Sequence, residues 1–535
     1  MSGRLLARVG LVALVLLFLS RLTHVAWDSS PTFDEPKHLS TGIVYLGHGW
    51  CCSGRDNTPL TSLNALPLYL SAEFPLLTSR EMEGIVNGSL DRDLMRHRYF
   101  RARLPNLVLG ALLAIVLYRF MSSRWGKVAA LLGVTLLALS PTMAAYGGLV
   151  SPDFQVAVTL FLAVVAGCRL VMRGPSTGGI LVTSTTVALA LLAKYSAVVL
   201  LAGLPLSALL VGARSGLKGA LRHLVVMLIV GVIAIGMVIA VYELPRAWHG
   251  LRGLGYFPFD PRTSGTETLL EAAAPPAGGS FGFFAGLKQV WEITRTGFLT
   301  CFMGEVGRRF TLYYPVAFLL KTPLALLIAA IAGLILWWRD RAERPCLVFP
   351  VCVLALLAGA AMQSHMCLGI RHLLPLYPWL CVMGGISLAR LLRARWPIGA
   401  LLVVWMAIAG FIYHPQHLAY FNELAGGPSR GHRFLADANL DWGQDYFRLR
   451  AELERRGVES CVGILHGPFP PLTYFKIPVR RLGDSEAPRG LVAVSASRLV
   501  GLGNPRAGAI VVRDFFAGRE PVGRAGYSIL LFEIQ

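Results

Sequence analysis

Residues 224–242 read LVVMLIVGVIAIGMVIAVY, nineteen positions without a charge or a proline. At 1.5 Å per residue such a helix covers ~28 Å, close to the ~30 Å of a bilayer's hydrocarbon. The stretch is the centre of an apolar run at 222–243. Ten comparable runs lie near 5–27, 104–121, 128–147, 154–172, 178–193, 196–212, 315–338, 346–363, 373–391 and 398–413. Composition agrees. The 535-residue chain is 55% hydrophobic and only 15% charged, with a mean hydropathy of +0.58. Soluble domains run near ~25% charged, so too few polar side chains exist to coat a globule of this size. Disorder, which needs low hydrophobicity and high charge, is excluded, as is an ordinary soluble enzyme. The expectation is a polytopic α-helical membrane protein with about eleven transmembrane helices.

Fifty Lys and Arg against thirty Asp and Glu give a net charge of +20. On a soluble surface that would suggest nucleic acid; here the placement of the charges carries another meaning. With the N-terminus cytoplasmic, the inner loops collect Arg4, Arg8, Arg119, Arg124, Lys127, Arg169, Arg173, Arg214, Lys218, Arg222, Arg339, Arg341, Arg344, Arg390, Arg393 and Arg395. The short outer connections hold only Lys194 and Arg371. This is the positive-inside signature, and no nucleic-acid partner is expected. Arg4 and Arg8 before the first run also suit a signal peptide, but His24 stands where cleavage wants a small residue, so an uncleaved anchor is expected.

A membrane domain over 1–413 follows, with long external loops at 28–103 and 244–314, and an extracytoplasmic tail at 414–535. Ala274-Pro275-Pro276-Ala277-Gly278-Gly279 marks the second loop. The tail reads as a small α/β domain. Asp441 to Arg456 has Phe447, Leu449 and Leu453 spaced for burial and Gly457 as a stop. Short β-like runs follow at Ser460–Leu465, Leu491–Val494, Ala509–Val512 and Tyr527–Ile534. No repeat of 20–50 residues is seen.

No acid falls in the middle of a predicted span, where ion-coupled transporters carry theirs. Asp34-Glu35 follows the first span and Asp153 precedes the fourth. Carboxylates at the outer interface suit a base that takes a proton from an approaching hydroxyl; Asp34-Glu35-Pro36 also suits a helix cap. Lys194, Lys321 and Arg371-His372 are basic residues at outer helix ends, and with Arg101 and Arg103 they suit an anionic headgroup or a phosphate leaving group. Snorkelling is the alternative for each. Asp437, Asp441 and Asp445 recur every four residues, as a cation site or as caps beside a Trp442 packing anchor. Cys51-Cys52 lacks a zinc-type spacing, the other cysteines read as small hydrophobes, and Gly253-Leu254-Gly255 lacks the strand–helix context of a nucleotide site.

Several stretches resemble the C-type membrane glycosyltransferases (GT-C), the group of dolichyl-phosphate-mannose protein mannosyltransferases of glycosyltransferase family 39 and of lipid A aminoarabinose transferases. They include Phe33-Asp34-Glu35-Pro36-Lys37-His38, Arg103-Leu104-Pro105-Asn106, Ser151-Pro152-Asp153, Ala193-Lys194-Tyr195-Ser196, Leu319-Leu320-Lys321-Thr322-Pro323 and Gly369-Ile370-Arg371-His372. In the tail, Tyr420-Phe421-Asn422-Glu423 and Asp437-Ala438-Asn439-Leu440-Asp441-Trp442 resemble its bacterial branch. The resemblance implies a hexosyl- or pentosyltransferase that takes a sugar from a polyprenyl-phosphate donor. The acceptor would be an envelope lipid, glycan or protein at the outer face of the cytoplasmic membrane. It implies Asp34 as general base with Glu35 beside it, Asp153 in the site, and Lys194, Lys321, Arg371, His372 and Arg103 on the donor phosphate. A divalent cation, Mg or Mn, on Asp34 and Asp153 belongs to the same implication, without a nucleotide cofactor. Where many relatives carry His-Pro-Pro-Leu, this chain has Asn57-Thr58-Pro59-Leu60, which removes a candidate metal ligand. The alternative is a lipid-linked saccharide flippase or transporter without covalent chemistry; a glycan polymerase or ligase with a diphosphate donor shares the transferase chemistry.

Overall fold

The computed structural model describes residues 3–48, 59–74, 81, 91, 93–252, 282–395, 397–468, 474–483, 486–503 and 506–535. Cys51-Cys52, Asn57-Thr58, Gly253-Leu254-Gly255 and the 274–279 stretch lie outside the described residues.

Each of the eleven apolar runs is helical. By length and apolar composition, six helices among the described residues can cross a membrane, or eight if each of two bent pairs is one span. The expected eleven is reached only by adding the shorter helices Thr177–Ala193 and Pro397–Phe411 and by dividing the continuous stretch Tyr195–Leu244. That stretch is a hairpin: Gly212 lies against Gly219, where a Cβ would come 2.7 Å from the Gly219 carbonyl oxygen. Gly216, at φ +82°, makes the reversal.

The bends have local causes. Pro141–Gly147 departs by 63° from Gly126–Leu139 because Ser140 caps the new helix, accepting from the Met143 amide at 3.3 Å, with Pro141 in its first turn. Tyr313–Lys321 and Leu324–Arg339 meet at 107°, where Thr322 is extended and Pro323 has no N–H to continue the ladder.

Contacts between loops fix which helix ends lie together. Arg124 pairs with Glu343, Trp125 meets Trp337 at 5.0 Å, and Gly126 lies beside Arg393. At the opposite end Asp34, Asp153, Lys194 and Arg371 meet. Alternate threading of eleven helices puts those two sets of loops on opposite sides, so contact and parity agree. The protein is a multi-pass membrane protein. Cys168 and Cys346 form a disulfide between Pro152–Arg173 and Arg344–Gln363, whereas the sequence suggested only small hydrophobes there.

Before Tyr313–Lys321 the short strands β1 Thr300–Phe302 and β2 Glu305–Gly307 pair antiparallel. In the tail, β3 Cys461–Ile464, β4 Val479–Arg481, β5 Gly490–Ser495, β8 Gly523–Ala525 and β9 Ile529–Ile534 form a five-stranded sheet in the order β4-β3-β5-β9-β8. β3 runs parallel to β4 and β5; β9 is antiparallel to β5 and β8. The run expected at 509–512 becomes the short pair β6 Arg506–Ala507 and β7 Ile510–Val511. The amphipathic helix starts at Tyr446 rather than Asp441. Before it, Gly443 is left-handed at φ +89° and the Trp442 amide is taken by Gln444 Oε1, so 441–445 stays coiled.

Candidate active site at one end of the helical body

Four helix junctions converge at one end of the helical body. Asp34 precedes the helix Glu35–His48, and its carboxylate turns to Arg371, whose Nη1 donates to Oδ2 at 2.8 Å. Asp153 lies in the first turn of Pro152–Arg173, where the helix dipole favours an anion. It is buried, accepts from Ser151 Oγ at 3.2 Å, pairs with Lys194 and stands 4.0 Å from Arg371 Nη1. Lys194 terminates Thr177–Ala193. Two carboxylates and two cations therefore alternate, and Asp34 is the more open acid, with its side chain 33% exposed against 1% for Asp153.

The tail closes this cluster. Arg371 lies over the Trp442 ring at 4.5 Å, and its Nε donates to the Leu368 carbonyl. Asn439 accepts from the Ile370 amide at 2.9 Å and donates to Tyr313 Oη at 2.9 Å. Gly369, at φ +101°, passes so close to Asn439 that a Cβ would meet its Oδ1 at 3.2 Å. His372, half-buried, is 3.1 Å from Tyr314 Oη through Nδ1 and stacks on that ring. The Phe33 amide donates to the Trp442 carbonyl, and the Phe33 ring stacks on His466, 5.1 Å apart and 6° from parallel.

Three residues expected in the site do other work. Glu35 and Arg103 are both buried and face one another. Arg103 Nε and Nη2 donate to the Glu35 carboxylate at 2.8 and 2.6 Å, and the remaining N–H groups reach the carbonyls of Ala26, Ser29 and Ser30. A guanidinium has five N–H donors, and all are used, so Arg103 has none for a donor phosphate. Glu35 also accepts from the Thr32 amide at 2.8 Å and the Val150 amide at 2.7 Å. It thus joins the loop of Asp34 to the turn before Asp153. Lys321 is the third. Its buried ammonium donates to the Leu418 and Asn439 carbonyls at 2.8 and 2.5 Å and lies 4.4 Å from the Phe421 ring centre. It pins the broken helix to the tail instead of facing a ligand.

The Asp-rich motif divides as well. Asp445 accepts from the Ser528 amide and hydroxyl at 3.1 and 2.8 Å and pairs with Arg448. Asp441 accepts from the Ser497 amide at 2.8 Å. Its Oδ1 is buried without a hydrogen-bond partner, and burial pushes its carboxyl up to about 7. Both fasten the motif to the sheet domain. Asp437 is half-buried and left-handed at φ +55°, in the field of Arg371, His466 and Asp34. Among the described residues no group of three or more His, Cys, Asp or Glu is placed to hold a metal, and Asp34 and Asp153 pair with cations of the chain itself.

The model of the dolichyl-phosphate-mannose-protein mannosyltransferase family matches residues 92–239, the segment that carries Arg103, Asp153 and Lys194. This bears out the likeness to the C-type membrane glycosyltransferases read from the sequence. Among solved structures, the chain is similar to ArnT from Cupriavidus metallidurans bound to undecaprenyl phosphate, at 13% identity, with 97% of each chain covered and a TM-score of 0.48. It is also similar to the Archaeoglobus fulgidus oligosaccharyltransferase in its apo form, at 12% identity, covering 88% of this chain and 63% of that one, with a TM-score of 0.44. No curated protein sequence matches it.

Proposed function

We propose that the chain is a glycosyltransferase of the outer face of the cytoplasmic membrane. It moves a sugar from a polyprenyl-phosphate donor to an envelope lipid, glycan or protein, with inversion at the anomeric carbon. The observation that carries this reading is the alternation of Asp34, Arg371, Asp153 and Lys194 at one end of the helical body, with the outermost carboxylate open to solvent. The family match over 92–239 supports the class of donor and the transfer.

An acceptor hydroxyl attacks the anomeric carbon and its proton passes to Asp34. The bond from that carbon to the phosphate oxygen breaks, and polyprenyl phosphate leaves with the electron pair. Arg371 and Lys194 oppose the charge that grows on the phosphate. Positioned base catalysis contributes ~10²–10⁴-fold, and alignment of the two reactants contributes more. The Arg371–Asp34 contact sets an order. While Arg371 donates to Asp34, that carboxylate oxygen is occupied; a donor phosphate that takes over the guanidinium frees it.

Mass spectrometry of polyprenyl-phosphate lipids tests the reading in wild-type cells, a deletion, and the deletion carrying Asp34→Asn. One polyprenyl-phosphate sugar should accumulate in both mutants. An unchanged lipid pool with the protein present in the membrane would overturn the transferase reading in favour of binding or transport.

A further inference from the structure

The end of the helical body opposite the candidate site is rich in arginine and poor in acid. The segments at that end, 1–8, 119–127, 169–177, 212–222, 339–344 and 390–397, carry only Asp340 and Glu343 as carboxylates. Both are engaged. Glu343 pairs with Arg124, and Asp340 Oδ1 accepts from the Ala342 and Glu343 amides at 3.1 and 3.3 Å. Any further guanidinium there finds its counter-charge outside the chain or has none.

Three arginines are in that position. Arg119 stands in the last turn of Leu94–Ser122, and Arg169 lies one turn before Arg173 at the end of Pro152–Arg173. Among the described residues no hydrogen bond or ion pair engages any of these three side chains. A chain of contacts brings Arg169 to Arg124. Cys168, next to Arg169, is bonded to Cys346, with their Cα atoms 5.8 Å apart. The Cys346 amide donates to the Glu343 carbonyl at 3.0 Å, and the Glu343 carboxylate holds Arg124. The Trp337 indole donates to the same carbonyl at 3.0 Å and meets Trp125, beside Arg124, at 5.0 Å. Arg124 in turn lies over the ring of Phe120, the neighbour of Arg119, at 5.5 Å. The charges that act on Arg169 are accordingly those of Arg173, Arg124 and Arg119, with no carboxylate among them. Arg169 is half-buried, and a partly desolvated cation among like charges is unfavourable until an anion joins them.

Depth selects the anion. Pro152–Arg173 has 22 residues, ~33 Å at 1.5 Å each, against ~30 Å of hydrocarbon. With Asp153 at one membrane surface, Arg173 stands at the other, level with lipid phosphates. Met172, one turn from Arg169, is 40% exposed and offers acyl chains an apolar contact beside the charges. Planar guanidiniums take phosphate oxygens two at a time, and basic pockets between transmembrane helices bind doubly charged headgroups. Arg124 shares its charge with Glu343, so three open charges remain, which suit two phosphates better than one.

We propose that Arg119, Arg124, Arg169 and Arg173 form a binding site for an anionic phospholipid of the leaflet opposite the candidate site. Its headgroup carries two phosphodiesters, held between the end of Pro152–Arg173 and the loop after Leu94–Ser122. The site takes no part in sugar transfer and stands whether or not that reading holds.

The test uses the full chain in detergent. Native mass spectrometry counts the lipid retained during titration with cardiolipin, phosphatidylglycerol or phosphatidylcholine. Thermal shift compares cardiolipin with inorganic phosphate. The wild type should retain cardiolipin best, phosphatidylcholine least, and should be stabilised by cardiolipin but not by phosphate. Arg169→Gln should weaken cardiolipin about tenfold, the loss of one charge-assisted contact. Arg173→Gln changes an exposed side chain, so it should fold as the wild type does and still bind cardiolipin more weakly. Arg214→Gln removes a charge at the same end, from the turn of the hairpin, and should leave binding unchanged. An equal loss in Arg214→Gln would reveal diffuse attraction to positive charge and overturn the site. So would full cardiolipin binding in the Arg169→Gln, Arg173→Gln double variant, no retention by the wild type, or stabilisation by phosphate equal to that by cardiolipin. Phosphatidylglycerol retained as tightly as cardiolipin would overturn the two-phosphate headgroup.

Discussion

Removing the Arg103 side chain tests whether the candidate site depends on a buried clamp. In Arg103→Met the carboxylate of Glu35, wholly buried, loses two charge-assisted bonds, and the carbonyls of Ala26, Ser29 and Ser30 lose a donor. Removing one partner of a buried pair costs ~3–5 kcal/mol because the other charge stays behind unpaired. That is a large share of a typical ~5–15 kcal/mol. Glu35→Gln leaves a neutral group that still accepts from one of the Thr32 and Val150 amides, and should cost less. In the double variant no buried ion remains, so the two losses should not add; the coupling should be ~2 kcal/mol or more in the sense that the second substitution relieves the first. The assay is unfolding of the four proteins in one detergent, followed by far-UV circular dichroism. Additive losses, or an Arg103→Met protein as stable as wild type, would refute the clamp. Measured transfer gives a second reading: abolition by Glu35→Gln in a protein of wild-type stability would restore Glu35 as a catalytic group.

Three further outcomes follow from the same geometry. Lys321→Met should lower the unfolding temperature, since two carbonyls lose their donor, yet leave the stabilisation by undecaprenyl phosphate intact; Lys194→Met should do the reverse, and thermal-shift titrations separate them. Burial raises the Asp441 carboxyl from its ordinary value of 3.8 to about 7. Its stabilising, protonated state is fully present below pH ~4 and is lost as pH rises through ~7. Asp441→Asn should therefore flatten the fall in melting temperature between pH 5 and 8, and an unchanged pH profile would refute the assignment. Arg371→Lys should not rescue transfer, because an ammonium cannot span Asp34 and Asp153 while stacking on Trp442; near-normal donor turnover in the lipid analysis would refute the shared role of the guanidinium.

The membrane helices were legible because hydrophobic length is a one-dimensional property: a run either covers the hydrocarbon or does not, and all eleven runs are helical. The placement of Asp34, Asp153, Lys194 and Arg371 at one end was legible for the same reason, since helix parity fixes the side on which each loop lies. Hydropathy could not say which charges face one another. Glu35 is next to Asp34 in the chain, yet a helix start turns one carboxylate inward to Arg103 and the other outward to Arg371. Lys321 looks as free as Lys194 along the sequence, until the 107° break at Pro323 brings it under the carbonyls of Leu418 and Asn439. Asp437, Asp441 and Asp445 share a spacing that predicts one role for all three, but the chain there is coiled, so the period has no face to define. Sequence by itself therefore determined the helical membrane body, the small sheet-containing tail and the end at which Asp34, Asp153, Lys194 and Arg371 gather. The tertiary structure alone decided which ionisable groups are spent on one another and which stay open, because that depends on distances between segments hundreds of residues apart.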